Sequence, residues 1–262
     1  MRRGEATVAV LGLGLWMPGY PSVAAWAGAM PEADADKPQG RGLDPANRRR
    51  AGVLGRAIAD ASAQAMQEAD VDPSTVATIV GSSIGEAATM IGLLDQMWRT
   101  KTPMSPAAFT VSVHNASSGL LSISSKNQGY ATSLAADEDT PGMALLEAVG
   151  LALRGDPVLV ACGDEAAPRS LVKNAPHWEI LAGAVVLAPL DYERPRHARL
   201  SVLAGEQATL RPAALDQDLA RNPQAGLIDL VDAILRREPG RVRLDRGKGR
   251  GWLAELDFDA DR

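Results

Sequence analysis

Apolar residues along the chain fall into two kinds of run. Short unbroken runs of small and β-branched residues, bounded by Gly, Pro or Asp, predict buried strands; longer stretches with apolar residues every three or four positions predict helices. "ATVAVLGLGLW" (Ala6–Trp16) is of the first kind, a strand closed by a glycine turn. Residues 28–47, rich in Ala, Asp, Pro and Gly, read as a surface loop. Asn47–Val71 is helical, with Val53, Leu54, Ala57, Ile58, Ala61 and Ala65 at helical spacing. Ser74–Glu86 predicts a second strand and turn, Ala88–Thr100 a helix, and Met104–Gln128 a loop followed by a helix of small residues over Asn115–Ser125. "YATSLAADEDTPGMALLEAVG" (Tyr130–Gly150) reads as strand, sharp turn and helix. Three further strands fall in Asp156–Ala166, Trp178–Asp191 and Ala198–Ala208. Asn222–Gly240 is an amphipathic helix with Leu227, Leu230, Val231, Ile234 and Leu235 on one face, Arg236 and Arg237 at its end and Pro-Gly as its stop. The tail alternates like a hairpin around a basic, Gly-rich turn.

Strands alternate with helices and no long polar linker intervenes. This predicts one α/β unit over residues 1–262 with a mixed sheet, residues 196–262 being an extension that carries a helix and a hairpin. Aromatics are only 4% of the chain while Ala and Gly abound, which suits close packing of helix on sheet. A net charge of −5 supplies no global basic field, so no nucleic-acid partner is expected. No apolar run reaches the roughly 20 residues of a membrane span. The start, "MRRGEATVAVLGLGLWMPG", has the arginines and apolar run of a secretion signal, but Glu5 interrupts it and no A-x-A site follows promptly. A buried first strand and a cytoplasmic protein are therefore expected. The lone Cys162 excludes an internal disulfide and accords with a reducing compartment.

Each chemical candidate has a plain structural alternative. "GLG" lacks the third glycine of a dinucleotide loop, Met17 standing in its place, and Pro18 blocks an immediate helix. Arg48, Arg49 and Arg50 at the start of the long predicted helix oppose its macrodipole, so they are either a solvated helix end or a patch with an acidic tertiary partner. Cys162 ends an apolar strand, where cysteine acts as a small hydrophobe. His197 lies among arginines and reads as solvated; neither Ser117 nor Ser124 stands in a G-x-S-x-G context. The acids Asp137, Glu138 and Asp139 occupy the turn before a helix. Asp139 or Thr140 can cap it and Pro141 suits its first turn, but three adjacent carboxylates without a nearby cation are not explained by capping alone. Adjacent residues point to opposite faces, so these acids make no metal site, and neither metal nor cofactor is expected.

In order and spacing, "VGSSIGE", "MSPAAFTVSVHNASSGLLSISSKNQG", "ATSLAADEDTPGMALLEAVGLALRGDPVLVACGDE" and "AGAVVLAPL" resemble the N-terminal half of a β-ketoacyl synthase. The resemblance extends to the short chain-length-factor proteins of aryl polyene clusters, with "RRR" and "SVHNA" in keeping, and covers roughly residues 6–192. It implies a layered thiolase-like α/β fold, the N-terminal ketosynthase half only, with a mixed sheet of five to six strands and helices on both faces. In active ketosynthases the corresponding strand ends on a nucleophilic cysteine at a helix N-terminus; here Glu138 falls on that position, and the paired histidines of the second half have no counterpart. A carboxylate holds no transferable acyl thioester.

What the resemblance implies is a non-catalytic, chain-length-factor-like subunit of type II fatty acid or polyketide biosynthesis. Its partner would be a β-ketoacyl synthase, or a second copy of itself. The interface would be the strand before the turn (Ala131, Thr132, Ser133, Leu134, Ala135, Ala136) and the start of the preceding helix (His114, Asn115, Ser118). An acyl carrier protein is a further expected partner, with either "RRR" or the tail turn (Arg246, Lys248, Arg250) as its dock. The alternative is an independent hydrolase or decarboxylase that uses Glu138, Asp137 and His114 on the same scaffold.

Overall fold

The computed structural model describes residues 6–170 and 177–259. The start of the chain, on which the secretion-signal question turns, lies partly outside the described residues. In chain order the elements are β1 (Thr7–Trp16), α1 (Val23–Ala27), α2 (Pro45–Arg50), α3 (Val53–Ala69), β2 (Ala77–Gly81), α4 (Ala87–Asp95), α5 (Pro106–Phe109), α6 (Ala116–Ser125), β3 (Ala131–Leu134), α7 (Thr140–Ala152), β4 (Val158–Asp164), β5 (Leu181–Ala188), β6 (Ala198–Ala204), α8 (Gln217–Arg221), α9 (Ala225–Leu235), β7 (Gly240–Arg243) and β8 (Trp252–Asp257).

The strands form one mixed sheet in the order β3-β2-β4-β5-β1-β6-β8-β7. β2 pairs in parallel with both β3 and β4, and the remaining pairings are antiparallel. Among the described residues the sheet thus has eight strands, not five to six, because β6, β8 and β7 continue it beyond β1. The tail hairpin is present and adds to the sheet edge.

Alternation along each strand sorts the core into two layers. In β4, Val158, Val160 and Cys162 join the layer containing α7 and α9, while Leu159 and Ala161 join the layer containing α3 and α6. β1 changes parity midway: Val8 and Val10 face the α7/α9 layer, then Leu13 and Leu15 do. A bulge between Val10 and Gly12 causes the switch. Helices therefore cover both faces, as expected.

The "GLG" of the first strand has a packing role. After the bulge, Gly12 and Gly14 face α3, and a Cβ there would lie 2.1 Å from the Ala65 carbonyl oxygen and 1.9 Å from that of Ala61. The alanine face of α3 (Ala57, Ala61, Ala65, all fully buried) rests directly on backbone. This close contact explains the abundance of small residues.

The long helix expected over Asn47–Val71 is two helices. Its break at Ala51–Gly52 puts Arg48, Arg49 and Arg50 in the last turn of α2, where they complement the dipole instead of opposing it. Arg48 donates to the carbonyls of Gly40 (3.0 Å) and Leu43 (2.9 Å), and Arg50 to Thr110 Oγ1 (3.0 Å). The helix expected over Ala88–Thr100 ends as α4 at Asp95 and continues as a π-helical turn, Gln96–Thr100.

Gly14→Val places a side chain where the α3 backbone lies, and should cost about 3 kcal/mol or more, beyond the usual overpacking range. Urea denaturation would show it. A change under about 1 kcal/mol would mean that α3 can shift, against the contact described here.

Candidate functional site at the elbow

β3 runs into a tight elbow and then α7, whose N-terminal residues Thr140, Pro141 and Gly142 are buried. β3 stops at Leu134, so Ala135 and Ala136 belong to the connection and not to the strand expected over 131–136. Asp137, Glu138 and Asp139 form one 3-10 turn, with Asp137 in a left-handed conformation (φ 48°). Thr140 closes the elbow: its hydroxyl accepts the Ala136 N–H (2.9 Å) and donates to the Asp137 carbonyl (2.7 Å). Ser83 Oγ donates to the same carbonyl (2.8 Å), fastening the elbow to the turn after β2.

The three acids have separate environments. Asp137 is exposed. Asp139 is buried and accepts the Arg250 N–H through Oδ1 (2.8 Å), a contact spanning 111 residues. Glu138 is half-buried, with Lys248 Nζ 3.7 Å from its carboxylate. Burial raises the Glu138 pKa; Lys248 opposes this, and Asp164 and Asp137 add to it. The missing cation is thus supplied by the turn of the β7–β8 hairpin. That turn is less available than an exposed basic loop: Arg246 donates through Nε to the buried Asp229 (2.7 Å), and Lys248 donates to the Arg221 carbonyl (3.0 Å).

His114 is tied elsewhere. Its Nε2 lies 2.7 Å from the Ser82 carbonyl, which can only accept, so Nε2 carries the proton. Among the described residues no hydrogen bond or ion pair joins His114 to Asp137 or Glu138. Asn115 is exposed at the start of α6 and makes no side-chain cap. Ser118 Oγ is 2.8 Å from Ser133 Oγ, linking α6 to β3. His197 is less solvated than expected: it pairs with Glu68 at 3.2 Å. Cys162 is fully buried, and burial pushes its thiol up, away from the thiolate form.

β3 is the first strand of the sheet order, so among the described residues one of its edges is unpaired. The Tyr130 and Leu134 carbonyls accept from β2 and the residue after it (Thr78 N–H, 2.9 Å; Ser82 N–H, 3.1 Å). By alternation, the backbone groups of Ala131 and Ser133 point outward. The segment from α4 to α5 carries exposed apolar side chains, including Leu94 (42% exposed), Met97 (45%), Trp98 (74%) and Phe109 (60%).

Sequence inspection missed the buried polar cluster behind the elbow. Asp164, fully buried at the end of β4, accepts from Ser82 Oγ (2.5 Å), Ser83 N–H (3.0 Å), Ile84 N–H (3.2 Å) and Gln224 Nε2 (2.7 Å). Burial raises its pKa and these donors oppose the shift. Glu86, also buried, accepts the Gly55 N–H (3.0 Å) near the start of α3. Burial, reinforced by Glu165, pushes Glu86 up to about 7. The available signal was "CGDE", two acids at the end of an otherwise apolar strand. Among the described residues no group of three His, Cys, Asp or Glu side chains is arranged to hold a metal, and no helix is long and apolar enough to cross a membrane.

A mixed sheet with helix layers on both faces, and an edge strand turning sharply into a buried helix, defines a layered α/β protein of the thiolase type. The chain belongs to the β-ketoacyl synthase N-terminal domain family, whose pattern matches residues 24–248. Among solved structures it is similar to a chain of the ketosynthase ApeO in complex with its chain length factor ApeC from Xenorhabdus doucetiae (21% identity, TM-score 0.68, 96% of this chain and 99% of that one). It is also similar to a chain of AntDE:AntF, a type II PKS acyl-carrier protein in complex with its ketosynthase (13% identity, TM-score 0.66, 98% and 100% covered). A third likeness is to the ishigamide ketosynthase/chain length factor (17% identity, TM-score 0.61, 76% and 67% covered). At these identities the likeness is one of fold. No curated protein matches the chain.

The Glu86 pKa sets a pH dependence with a definite sign. The folded value lies above the ordinary 4.5, so between pH 4.5 and about 7 the folded chain keeps a proton that the unfolded chain has released. Stability therefore falls as pH rises through that window, by roughly 3 kcal/mol from this residue. Glu86→Gln should remove that part of the slope in urea titrations at pH 5 and pH 8. An unchanged slope would assign the pH dependence to other groups.

Proposed function

We propose that the chain is a non-condensing, chain-length-factor-like subunit that pairs with a β-ketoacyl synthase in type II polyketide or fatty acid biosynthesis of the aryl polyene kind. The observation that carries this reading is the elbow itself. The position of the acyl-accepting thiol holds Glu138, a half-buried carboxylate facing Lys248, and the chain's one thiol is sealed inside β4. A carboxylate there forms no thioester, so condensation would fall to the partner's thiol.

Two surfaces support a partner. The outer edge of β3 presents unpaired backbone groups, and an open edge favours addition of another strand. The α4–α5 segment buries little: α4 buries Ala87 and Leu93, while the π-helical turn and α5 bury none of their residues. An apolar surface of this kind marks a contact site. On this reading the ketosynthase pairs strand to strand with Ala131–Leu134, packs against His114, Asn115 and Ser118, and covers Trp98 and Phe109. The subunit then bounds the space available to the growing chain, which arrives on an acyl carrier protein. Pairing of two copies through the same strand is the lesser form of the same interface.

Ser133→Pro tests the edge, because the Ser133 N–H points away from β2 and its loss leaves the β2–β3 ladder whole. Co-expressed with a full-length ketosynthase, the wild type should elute as a one-to-one complex, and Ser133→Pro should elute separately with an unchanged circular dichroism spectrum. A wild-type chain that stays monomeric beside such ketosynthases would sink the subunit reading. Within the complex, replacing the partner's nucleophilic cysteine should abolish condensation, whereas Glu138→Gln should leave it standing.

A further inference from the structure

A second candidate site lies at the other end of β2 from the elbow. The helices α3 and α6 diverge over the sheet and leave a crevice of about 460 Å³, within the range of small-molecule sites. Its floor is Thr78 and Leu159, and Met66 and Leu121 stand on its walls. All four are buried (5%, 1%, 8% and 6% exposed), so the crevice is an opening into the core and not a surface dimple. The Thr78 hydroxyl has only a long, 3.4 Å contact with the Val76 carbonyl.

The mouth is polar and carries one cation. Arg41 and Ser122 line it. Among the described residues the Arg41 guanidinium has no hydrogen bond or ion pair; only its backbone N–H is engaged, by Asp60 (2.6 Å). Asp60 directs its other oxygen to the Gln39 N–H (2.6 Å), so it does not neutralise that guanidinium by contact. The aliphatic stems of Arg48 and Arg56 pack beside neighbouring Gly40, and their Nε groups donate to the Gly40 and Arg48 carbonyls (3.0 and 3.2 Å). Asp44 is held by the N–H groups of Ala46 and Asn47 and by Ser124, while Glu32 and Asp34 of the same loop line a neighbouring cavity that Arg41 also lines, without a hydrogen bond or ion pair to its guanidinium. An apolar slot with one unpaired guanidinium at its entrance is complementary to a single alkyl chain with an anionic end.

We propose that the crevice between α3 and α6 binds a medium-chain monocarboxylate, its alkyl chain lying on Leu159, Met66 and Leu121 and its carboxylate against Arg41. A neutral ester or alcohol of equal length would gain the apolar contacts but not the ion pair. The site is separate from the elbow and from β3, so it stands whether or not the chain pairs with a ketosynthase.

Isothermal titration of the full chain with decanoate, and with decanol as the uncharged control, tests the proposal. Decanoate should bind saturably and raise the thermal midpoint. Arg41→Gln, on an exposed loop, should weaken decanoate about tenfold and leave decanol unchanged. Ser122→Phe, which puts a ring across the mouth, should remove binding of both. No saturable decanoate binding to the wild type would overturn the proposal, as would equal affinity in wild type and Arg41→Gln.

Discussion

One buried carboxylate organises the functional end of the sheet. Asp164 takes four hydrogen bonds from three places: the side chain of Ser82 at the end of β2, the amides of Ser83 and Ile84 in the following turn, and Gln224 before α9. A carboxylate with no access to water is tolerable only when its oxygens are filled in this way. The same turn carries the carbonyl that accepts from His114 and the hydroxyl that holds the Asp137 carbonyl. The positions of the elbow, of α6 through His114, and of α9 therefore depend on one acid and its donors.

The charge at the elbow follows from that arrangement. Three consecutive acids beside a buried Asp164 would repel one another if they shared one environment. They are distributed instead: Asp137 is in solvent, Glu138 faces Lys248, and Asp139 accepts an amide N–H from the β7–β8 turn. The hairpin turn closes over the acids so tightly that a Cβ at Gly249 would lie 2.3 Å from Asp139 Oδ1. The last strands of the sheet and the first turn of α7 are thus one unit, and the Glu138 carboxylate is a settled part of it.

The outer surfaces are built on a different principle. The interior is filled by small residues in close contact, with α3 lying on the backbone of β1. Large apolar side chains are displaced outward along α4, the π-helical turn and α5, and among the described residues the first strand of the sheet has an open edge. An open strand edge supplies hydrogen-bonding capacity and the exposed side chains supply apolar area, the two things that interfaces use.

Much of the fold was legible in the chain. Runs such as "PVLVACG" and the spacing of Val53, Leu54, Ala57 and Ile58 announce strand and helix because burial of one face imposes a period of two or of about four. The strand–elbow–helix unit and the placement of Glu138 in its turn were legible as well, and the family match spans them. What the local pattern does not carry is partnership. The bulge that reverses the faces of β1, the joining of β6, β8 and β7 to one sheet, and the break that moves Arg48, Arg49 and Arg50 to the end of α2 each depend on what packs opposite. The cation for Glu138 and the donor for Asp139 come from more than a hundred residues away. The sequence by itself determined the alternation of strands and helices and the buried face of regular elements such as α3 and α9, because those follow from side-chain periodicity within a few residues. Only the tertiary structure decided which carboxylate meets which donor, because desolvation and hydrogen bonding act between groups brought together by closure of the sheet.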